Sequence, residues 1–518
     1  MADRISNSGP TSPQKRSFVL TSDSIFDGHT FRPDITHIAV TGGEIVALGN
    51  HEVGRVFPRN AADILDFKGR TILPGFIDGH CHFMQMGLAS LHLDLAPAAS
   101  REEFFVLISQ QLADNRAGGP IIGEDWDESA WSDHRFPTRK ELDSISAEIP
   151  IIARRVCGHL AVVNTPALAY IPRALFKGDY GHGIVVEEAI LSLDDLLTHD
   201  PDSYRSALRY AQALAFKNGV TTIHEIVSNR FFAVYQHFLA QKELQIRVVA
   251  YLPVKALHHY GQTGLVGGFG NDRLQFGGVK IFTDGSLGAR TAALSNPYHD
   301  DPPNRGLLLY SLSRLSNFIT RSEQARIPVM IHAIGDRAIA QALKAFEKSS
   351  YKPGSGLRHR LEHLEVLDAP LISKINDLGL TASLQPNFAH RWSQPGGMNW
   401  QRLGPERIKW CNPYSHIISS GGNVAFGSDC MPFGPLYGLE GACNHPIPEL
   451  GIPLEKALET YTAGSAYAAA VDAWTGSLAP GKKADIVVLD HDISRSRTLA
   501  DVAVNATFLN GDLVYSNY

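Results

Sequence analysis

The sequence predicts a (β/α)8 barrel of the TIM type, with a small β-sandwich built from both chain ends and an insertion on the barrel. Three observations lead there. Near-continuous apolar runs alternate with amphipathic helical stretches through the middle of the chain, the pattern of a parallel sheet covered by helices. The GxGxxG turn that would open a dinucleotide-binding open sheet is absent, which favours closure into a barrel. Short alternating runs with Gly turns occur at both ends, and neither end holds enough strands for a sheet of its own.

Taken in order, residues 1–17 lack the apolar core of a signal peptide and read as a flexible tail. Residues 18–73 carry ITHIAVTGGEIVALG (35–49) and the start of ILDFKGRTILPG (64–75), antiparallel strands of the composite β-domain. The barrel runs over 74–470. Within it, 93–200 shows few clean βα repeats and two dense aromatic-acidic pieces, so it is expected to be the insertion. SYRSALRYAQALAFKNG (203–219) is a helix stopped by Gly219, and VTTIHEI (220–226) is the strand that follows. Further buried runs are QFGGVKIFTDG (275–285), RIPVMIHAIGD (326–336), RHRLEHLEV (358–366), LTASLQP (380–386) and NVAFGSD (423–429), with helices over 336–348 and 369–379. Residues 471–518 return to β texture: ADIVVLD (484–490), then AVNATFLNGDLVYS (503–516), where Asn510-Gly511 is a strong hairpin turn.

Composition narrows the function. A charged fraction of 19% and a net charge of −6 describe an ordinary globular protein and argue against a nucleic-acid partner. The five cysteines form no close-spaced pairs and are odd in number, which fits reduced thiols better than a disulfide framework. No apolar run approaches bilayer length, so no membrane partner is expected and the setting is taken as cytoplasmic.

The chemistry is concentrated where buried runs meet loops. In PGFIDGHCHF (74–83), His80 and His82 flank Cys81; side chains alternate along a strand, so both imidazoles point one way and Cys81 the other. Two neutral nitrogens on one rigid strand suit Zn²⁺ or a similar metal. Lys280 sits inside the apolar run GGVKIF. Burying an ammonium is costly unless it is paired, so it needs either a carboxylate partner or a neutral amine that reacts with CO₂ to give a carbamate. His332 ends VMIH and His363 ends RLEH; a lone histidine there is more often a satisfied core residue. Asp429, in FGSD, fits a metal site or the cap of the next helix. Singly, each bland reading is credible. Jointly they are poor, because five successive strand ends would each carry a ligand-competent residue by accident, and barrel sites lie at those ends.

The ordered set His-x-His, Lys, His, His, Asp resembles the amidohydrolase superfamily, specifically the family-3 metal-dependent hydrolases, a branch that includes N-substituted formamide deformylases. The resemblance spans nearly the whole chain through PGFIDGHCHF, GEDWDESAW (123–131), CGHLAVVNTPAL (157–168), GVTTIHEI, VKIFTDGSLGARTAAL (279–294), HAIGDRA (332–338), RLEHLE (360–365), ASLQP, FGSDCMP (426–432) and GSLAPGKKADIVVLD (476–490). It implies that His80 and His82 bind one metal, that Lys280 as a carbamate bridges to a second held by His332 and His363, and that Asp429 contacts the first metal and serves as general base. Without carboxylation, a one-metal site of His80, His82 and Asp429, helped by His332 or His363, is the alternative.

The substrate wall is expected from His159 and Glu187 in the insertion, from His224 and Arg290 near the barrel top, and from Trp126 and Trp410. Each also has a bland reading: a core or capping histidine, a surface acid, a loop ion pair, or Trp packing of the insertion. The leading function is hydrolysis of a C–N bond in an amide, formamide or cyclic amide by metal-activated water, with ester, lactone or carbamate hydrolysis as the rival within enzymes. A non-catalytic scaffold should have lost ligands, whereas all six positions are filled. The partners expected are a small-molecule substrate and, as assembly, a homodimer.

Overall fold

A computed structural model of the chain describes residues 17–56, 64–116, 118–173, 178–186, 189–190, 200–496, 498–499 and 501–517. The expected tail therefore falls almost wholly outside the described residues. At the centre stand eight parallel strands in sequential order: β1 (Phe76–Cys81), β2 (Val220–Ile226), β3 (Arg247–Pro253), β4 (Leu274–Phe282), β5 (Val329–Ala333), β6 (Arg360–His363), β7 (Thr381–Leu384) and β8 (Val424–Phe426). Their outward residues, among them Val220, Ile223, Val248, Ala250, Val279, Ile281, Val329, Ile331 and Leu361, form one large apolar core with the surrounding helices. The inward residues are largely polar near the top, which is why several runs look both buried and charged.

β8 comes back against β1 where neither strand carries a side chain. A Cβ on Gly427 would lie 2.2 Å from the backbone nitrogen of His80, and one on Gly79 would lie 2.6 Å from the carbonyl of Phe426. Helix Pro201–Lys217 ends as expected: Asn218 caps it and Gly219 adopts φ +74°, which glycine tolerates without strain. β3 has no counterpart among the segments the sequence pattern picks out, because no ligand-type residue marks its end.

The chain ends meet in one sheet. Strand Ile486–Leu489 pairs antiparallel with Thr71–Pro74, setting Ile486 opposite Pro74, and Val504–Leu509 and Asp512–Ser516 extend it. Strands Phe18–Thr21, His37–Thr41, Glu44–Gly49 and Ile64–Asp66 make a second sheet, and Leu20, Ile38 and Val40 share a core with Ile486, Val488 and Phe508. Asn510 and Gly511 both have positive φ, as their hairpin turn requires.

The insertion is more regular than its sequence suggests. Leu93–Asp94, Ile121–Trp126 and Ile151–Arg155 are parallel and joined by helices Arg101–Asp114 and Arg139–Ile145; Leu160–Val163, Ile184–Val186 and Gly178–Asp179 continue the sheet antiparallel. Its βα repeats are hard to read because the first strand is two residues long and the second ends in Glu124 and Asp125.

A buried ion pair fastens the composite β-domain beneath the barrel. Arg247, which opens β3 and is 1% exposed, donates to Asp485 from Nε at 2.7 Å and from Nη2 at 3.0 Å, and from Nη1 to Asp272 at 2.7 Å. Removing one partner leaves an unpaired buried charge. Asp485→Ala is therefore expected to cost about 3–5 kcal/mol, read as a fall in the urea midpoint, whereas a surface loss such as Glu406→Ala should move it little.

Candidate metal centre at the carboxyl end of the barrel

His80 lies near the end of β1 and His82 one step beyond it. Their rings are 6.1 Å apart on one side, while Cys81 turns outward with its Sγ 3.6 Å from Glu225. Glu225 accepts the backbone N–H groups of Phe83 at 2.5 Å and Met84 at 3.0 Å, fixing the start of the helix that follows His82. His80 donates from Nδ1 to the carboxylate of Glu362, so its Nε2 lone pair faces the barrel mouth. Glu362 is itself held by Arg360, Nε to Oε1 at 2.6 Å and Nη2 to Oε2 at 2.9 Å.

Lys280, on β4, is 2% exposed, and its Nζ donates to Nε2 of His80 at 3.2 Å and lies 4.8 Å from the centre of the Phe282 ring. Among the described residues no carboxylate is within ion-pair distance of it. Burial lowers its pKa, partly offset by Glu362 and Asp429. His332, on β5, donates from Nε2 to the carbonyl of Gly285 at 3.1 Å, which leaves Nδ1 as a lone pair; that Nδ1 is buried and has no partner. His363 closes β6 at φ +72°, its ring set edge-on 4.5 Å from the His332 ring and tilted 4.7 Å from the His80 ring, and its Nδ1 is also buried and unpartnered. Burial drives all three imidazoles well below the ordinary histidine pKa, so they present neutral nitrogens.

Asp429 follows β8 at φ +52°, its N–H donating to the carbonyl of His80 at 2.7 Å. Asp78 sets this turn by accepting from Ser428 N at 2.9 Å and Ser428 Oγ at 2.5 Å. The next helix, Pro435–Cys443, takes no side-chain cap, so Asp429 is not spent there. Its Oδ1 is buried and unpartnered, 3.3 Å from Nε2 of His82 and 3.8 Å from Nε2 of His80. Burial pushes its carboxyl pKa up, and a bound cation would reverse that.

A transition metal fits this donor set. Ligand atoms of one tetrahedral ion stand roughly 3.3 Å apart when each bond is about 2.0–2.1 Å, close to the observed spacings around Asp429. Ligand atoms of His80, His363 and Asp429 lie within 4.8 Å of one another. The strands that carry candidate ligands are β1, β4, β5, β6 and β8; they are not successive as the sequence suggested, because β2, β3 and β7 intervene without a candidate ligand at the end.

A cavity of about 880 Å³ opens above this cluster, between the barrel mouth and the carboxyl end of the insertion's parallel strands. Of the expected substrate residues, His159 lines it, 5.2 Å from the His332 ring. The structure puts Trp126, Trp410, Arg290 and His224 elsewhere. Trp126 is fully buried in the insertion core, stacked on Trp131 with its indole N–H on the carbonyl of Ala153 at 3.0 Å. Trp410 stands 36% exposed against His416, away from the cavity. Arg290 pairs with Asp300 at 2.8 Å in its loop. His224 is buried below the ligand layer, its Nδ1 receiving Arg360 Nη1 at 2.9 Å. Glu187 lies outside the described residues. Arg360, Glu362 and Asp78 were not among the residues expected at the site. Their signal is two charged residues at i, i+2 inside the buried run RLEH and an acid inside FIDGH.

The model of the Amidohydrolase family matches residues 63–515. The chain belongs to the amidohydrolase family. A putative amidohydrolase, YtcJ, of Bacillus subtilis is 28% identical over 92% of this chain and 95% of its own. An N-substituted formamide deformylase of Arthrobacter pascens is 24% identical over 92% and 94%. Among solved structures, an uncharacterized metal-dependent hydrolase from Pyrococcus horikoshii superposes with a TM-score of 0.76 at 27% identity, covering 93% of this chain and 99% of that one. Membership places the chain among hydrolases, and the family's barrel is the one described above.

The Glu362 carboxylate gives a direct test of how His80 is held. Glu362→Gln keeps the shape but loses the charge that fixes the His80 tautomer. Zinc affinity, measured by competition with a chromogenic chelator, is expected to fall about 10- to 100-fold with the circular dichroism spectrum unchanged.

Proposed function

We propose that the chain hydrolyses a C–N bond in a small-molecule amide, formamide or cyclic amide, with one or two divalent transition-metal ions, zinc foremost. The observation that carries this reading is the convergence of unpartnered buried lone pairs on His332, His363 and Asp429 with the tethered Nε2 of His80. His80, His82 and Asp429 would hold one ion and His332 and His363 a second, with Lys280 between them. Bound ions would lower the pKa of a water and polarise the scissile carbonyl. The lowered pKa of Lys280 keeps part of its amine neutral, supporting its capture of CO₂ as a carbamate with release of a proton. Asp429 would take the proton of the attacking water and pass it to the leaving nitrogen. The deformylase activity for which the Arthrobacter relative is named supports an acyl C–N bond. Among the described residues no helix is long and apolar enough to cross a membrane. The five cysteines are free thiols, which supports the proposed cytoplasmic setting.

Two measurements test this. Purified protein is expected to carry about one to two transition-metal ions per chain and to lose activity to chelators; Lys280→Ala should lower that content, and full activity in metal-stripped protein would refute the reading. Asp429→Asn, with metal content confirmed, should lower the rate by about two to four powers of ten and remove the acid limb of the rate profile. Near-wild-type turnover in a metal-replete Asp429→Asn protein would remove Asp429 from the chemistry.

A further inference from the structure

The ligand cluster fronts two spaces of very different size. On one side is the large cavity. On the other is a side pocket with about 20 Å³ of room, reached past His159, His363 and Asp429. Space on this scale holds one water-sized group, since a water needs about 10–15 Å³. The pocket's walls are apolar: Leu287, Ile334, Phe388, Trp392 and Met398. They are also fixed. Phe388 lies parallel to the His363 ring at 6.0 Å and against Trp392 at 5.0 Å. The neighbouring Asn387 donates to the carbonyls of Ser428 at 2.6 Å and Met431 at 2.8 Å, on either side of Asp429.

Behind His159, His363 and Asp429 the polar side chains lining this pocket are Cys157, Ser286 and Glu365; Ser286 Oγ already accepts Ala289 N at 3.2 Å, and Glu365 is the carboxyl among these three. It is 4% exposed, and among the described residues its carboxyl accepts no hydrogen bond. Its backbone is pinned, the carbonyl receiving Asn412 N at 2.8 Å. A buried carboxyl without a donor is costly, and a ligand group bearing N–H would relieve that cost in either protonation state of the acid. A formyl C–H or a methyl group would fill the space and leave Glu365 unmatched.

We propose that this pocket is the subsite for the leaving nitrogen, so that the substrate is a primary carboxamide whose bulky acyl part occupies the large cavity and whose NH₂ donates to Glu365. This rests on the C–N hydrolase reading above and narrows it. The reaction is R–CO–NH₂ + H₂O → R–COO⁻ + NH₄⁺. The water oxygen bonds to the carbonyl carbon, the C–N bond breaks with its electron pair leaving on nitrogen, and protons from the water and the nascent acid complete the ammonium. The orientation is opposite to that of an N-substituted formamide, in which the small end is the acyl group.

The test uses metal-replete full-length protein and three probe series, each built on the same set of arylalkyl, alkyl and heteroaryl groups: primary carboxamides, N-methyl carboxamides and N-substituted formamides. Ammonia, methylamine and formate are assayed separately. The primary carboxamides are expected to exceed the N-methyl carboxamides at least about tenfold in kcat/KM, given a pocket that admits one heavy atom. Met398→Ala should shrink that gap by enlarging the pocket. Glu365→Met should lower kcat/KM for the primary carboxamides about ten- to hundredfold, while Glu365→Gln, which keeps an acceptor oxygen, retains most of it. Metal content should stay unchanged in all three variants. Faster turnover of the formamides, or a size preference that Met398→Ala leaves in place, overturns the subsite while leaving the C–N reading standing. Release of no nitrogen product and no formate from any series overturns both.

Discussion

The site depends on a guanidinium buried inside the barrel. Arg360 has no exposure, and water cannot pay for its charge, so every donor must be met by protein. Nε and Nη2 meet the two oxygens of Glu362, Nη2 also reaches the carbonyl of Gly79 at 2.5 Å and Ser383 Oγ at 2.6 Å, and Nη1 donates to His224 Nδ1. This gives the buried Glu362 side chain a guanidinium partner, and its contact with Nδ1 orients His80 as the Nδ1–H tautomer. The upward lone pair of His80 follows from that chain of bonds. His224 Nδ1 sits between Arg360 Nη1 and the carbonyl of Gly79, 3.2 Å away, which makes this histidine part of the support under the candidate ligands.

The second constraint is backbone strain concentrated where the candidate ligands leave their strands. His363, Leu364, Asp429 and Cys430 all have positive φ, a region that residues other than glycine occupy at a cost of order 1–3 kcal/mol each. Such conformations persist only if their surroundings over-determine them. At Asp429 the restraints come from the Asp78–Ser428 bonds, the Asp429–His80 backbone bond and Asn387 bridging Ser428 and Met431. The two glycines where β8 meets β1 serve the same end, since a side chain there would push His80 and Asp429 apart. Strain of this kind turns side chains inward that a regular strand would pass by.

Much of this was legible in the sequence, for reasons that also explain what was not. A His, Lys or Asp at one strand end says little, but the same kind of residue repeated at several marks them together; β1, β4, β5, β6 and β8 were found this way and β2 and β7 from the helices that lead into them, while β3, ending in Tyr-Leu-Pro, was not. The Asn510-Gly511 hairpin and the Gly219 helix stop were readable because their chemistry is local. The cavity wall was not, because it depends on which way a side chain faces across a tertiary interface. Trp126 and Trp131 sit among acidic residues in the sequence, and nothing local distinguishes an aromatic that lines a ligand space from one that seals a core. Glu362 and Arg360 were visible as charges in a buried run, yet their pairing is a property of the barrel's interior layer, which no single strand reveals.

The division of labour between barrel and insertion follows from charge. The barrel contributes lone pairs and strained turns that face one point, so its chemistry is fixed by geometry set far from solvent. The insertion presents the carboxyl end of its parallel strands to the same space, where ligands of open α/β sheets bind, but its charges there are largely matched to one another. Glu124 lies 2.9 Å from His92 and 3.4 Å from Arg154, and Arg155 holds Glu128 at 2.6 Å and Asp127 at 3.1 Å. Fields from paired ions fall off faster than those from single charges, so this face offers shape and hydrogen-bonding contours more than net charge. Selection among substrates would then rest on fit against the insertion and on the size of the group that passes Asp429, while the metal-facing set stays indifferent to what is attached to the acyl carbon.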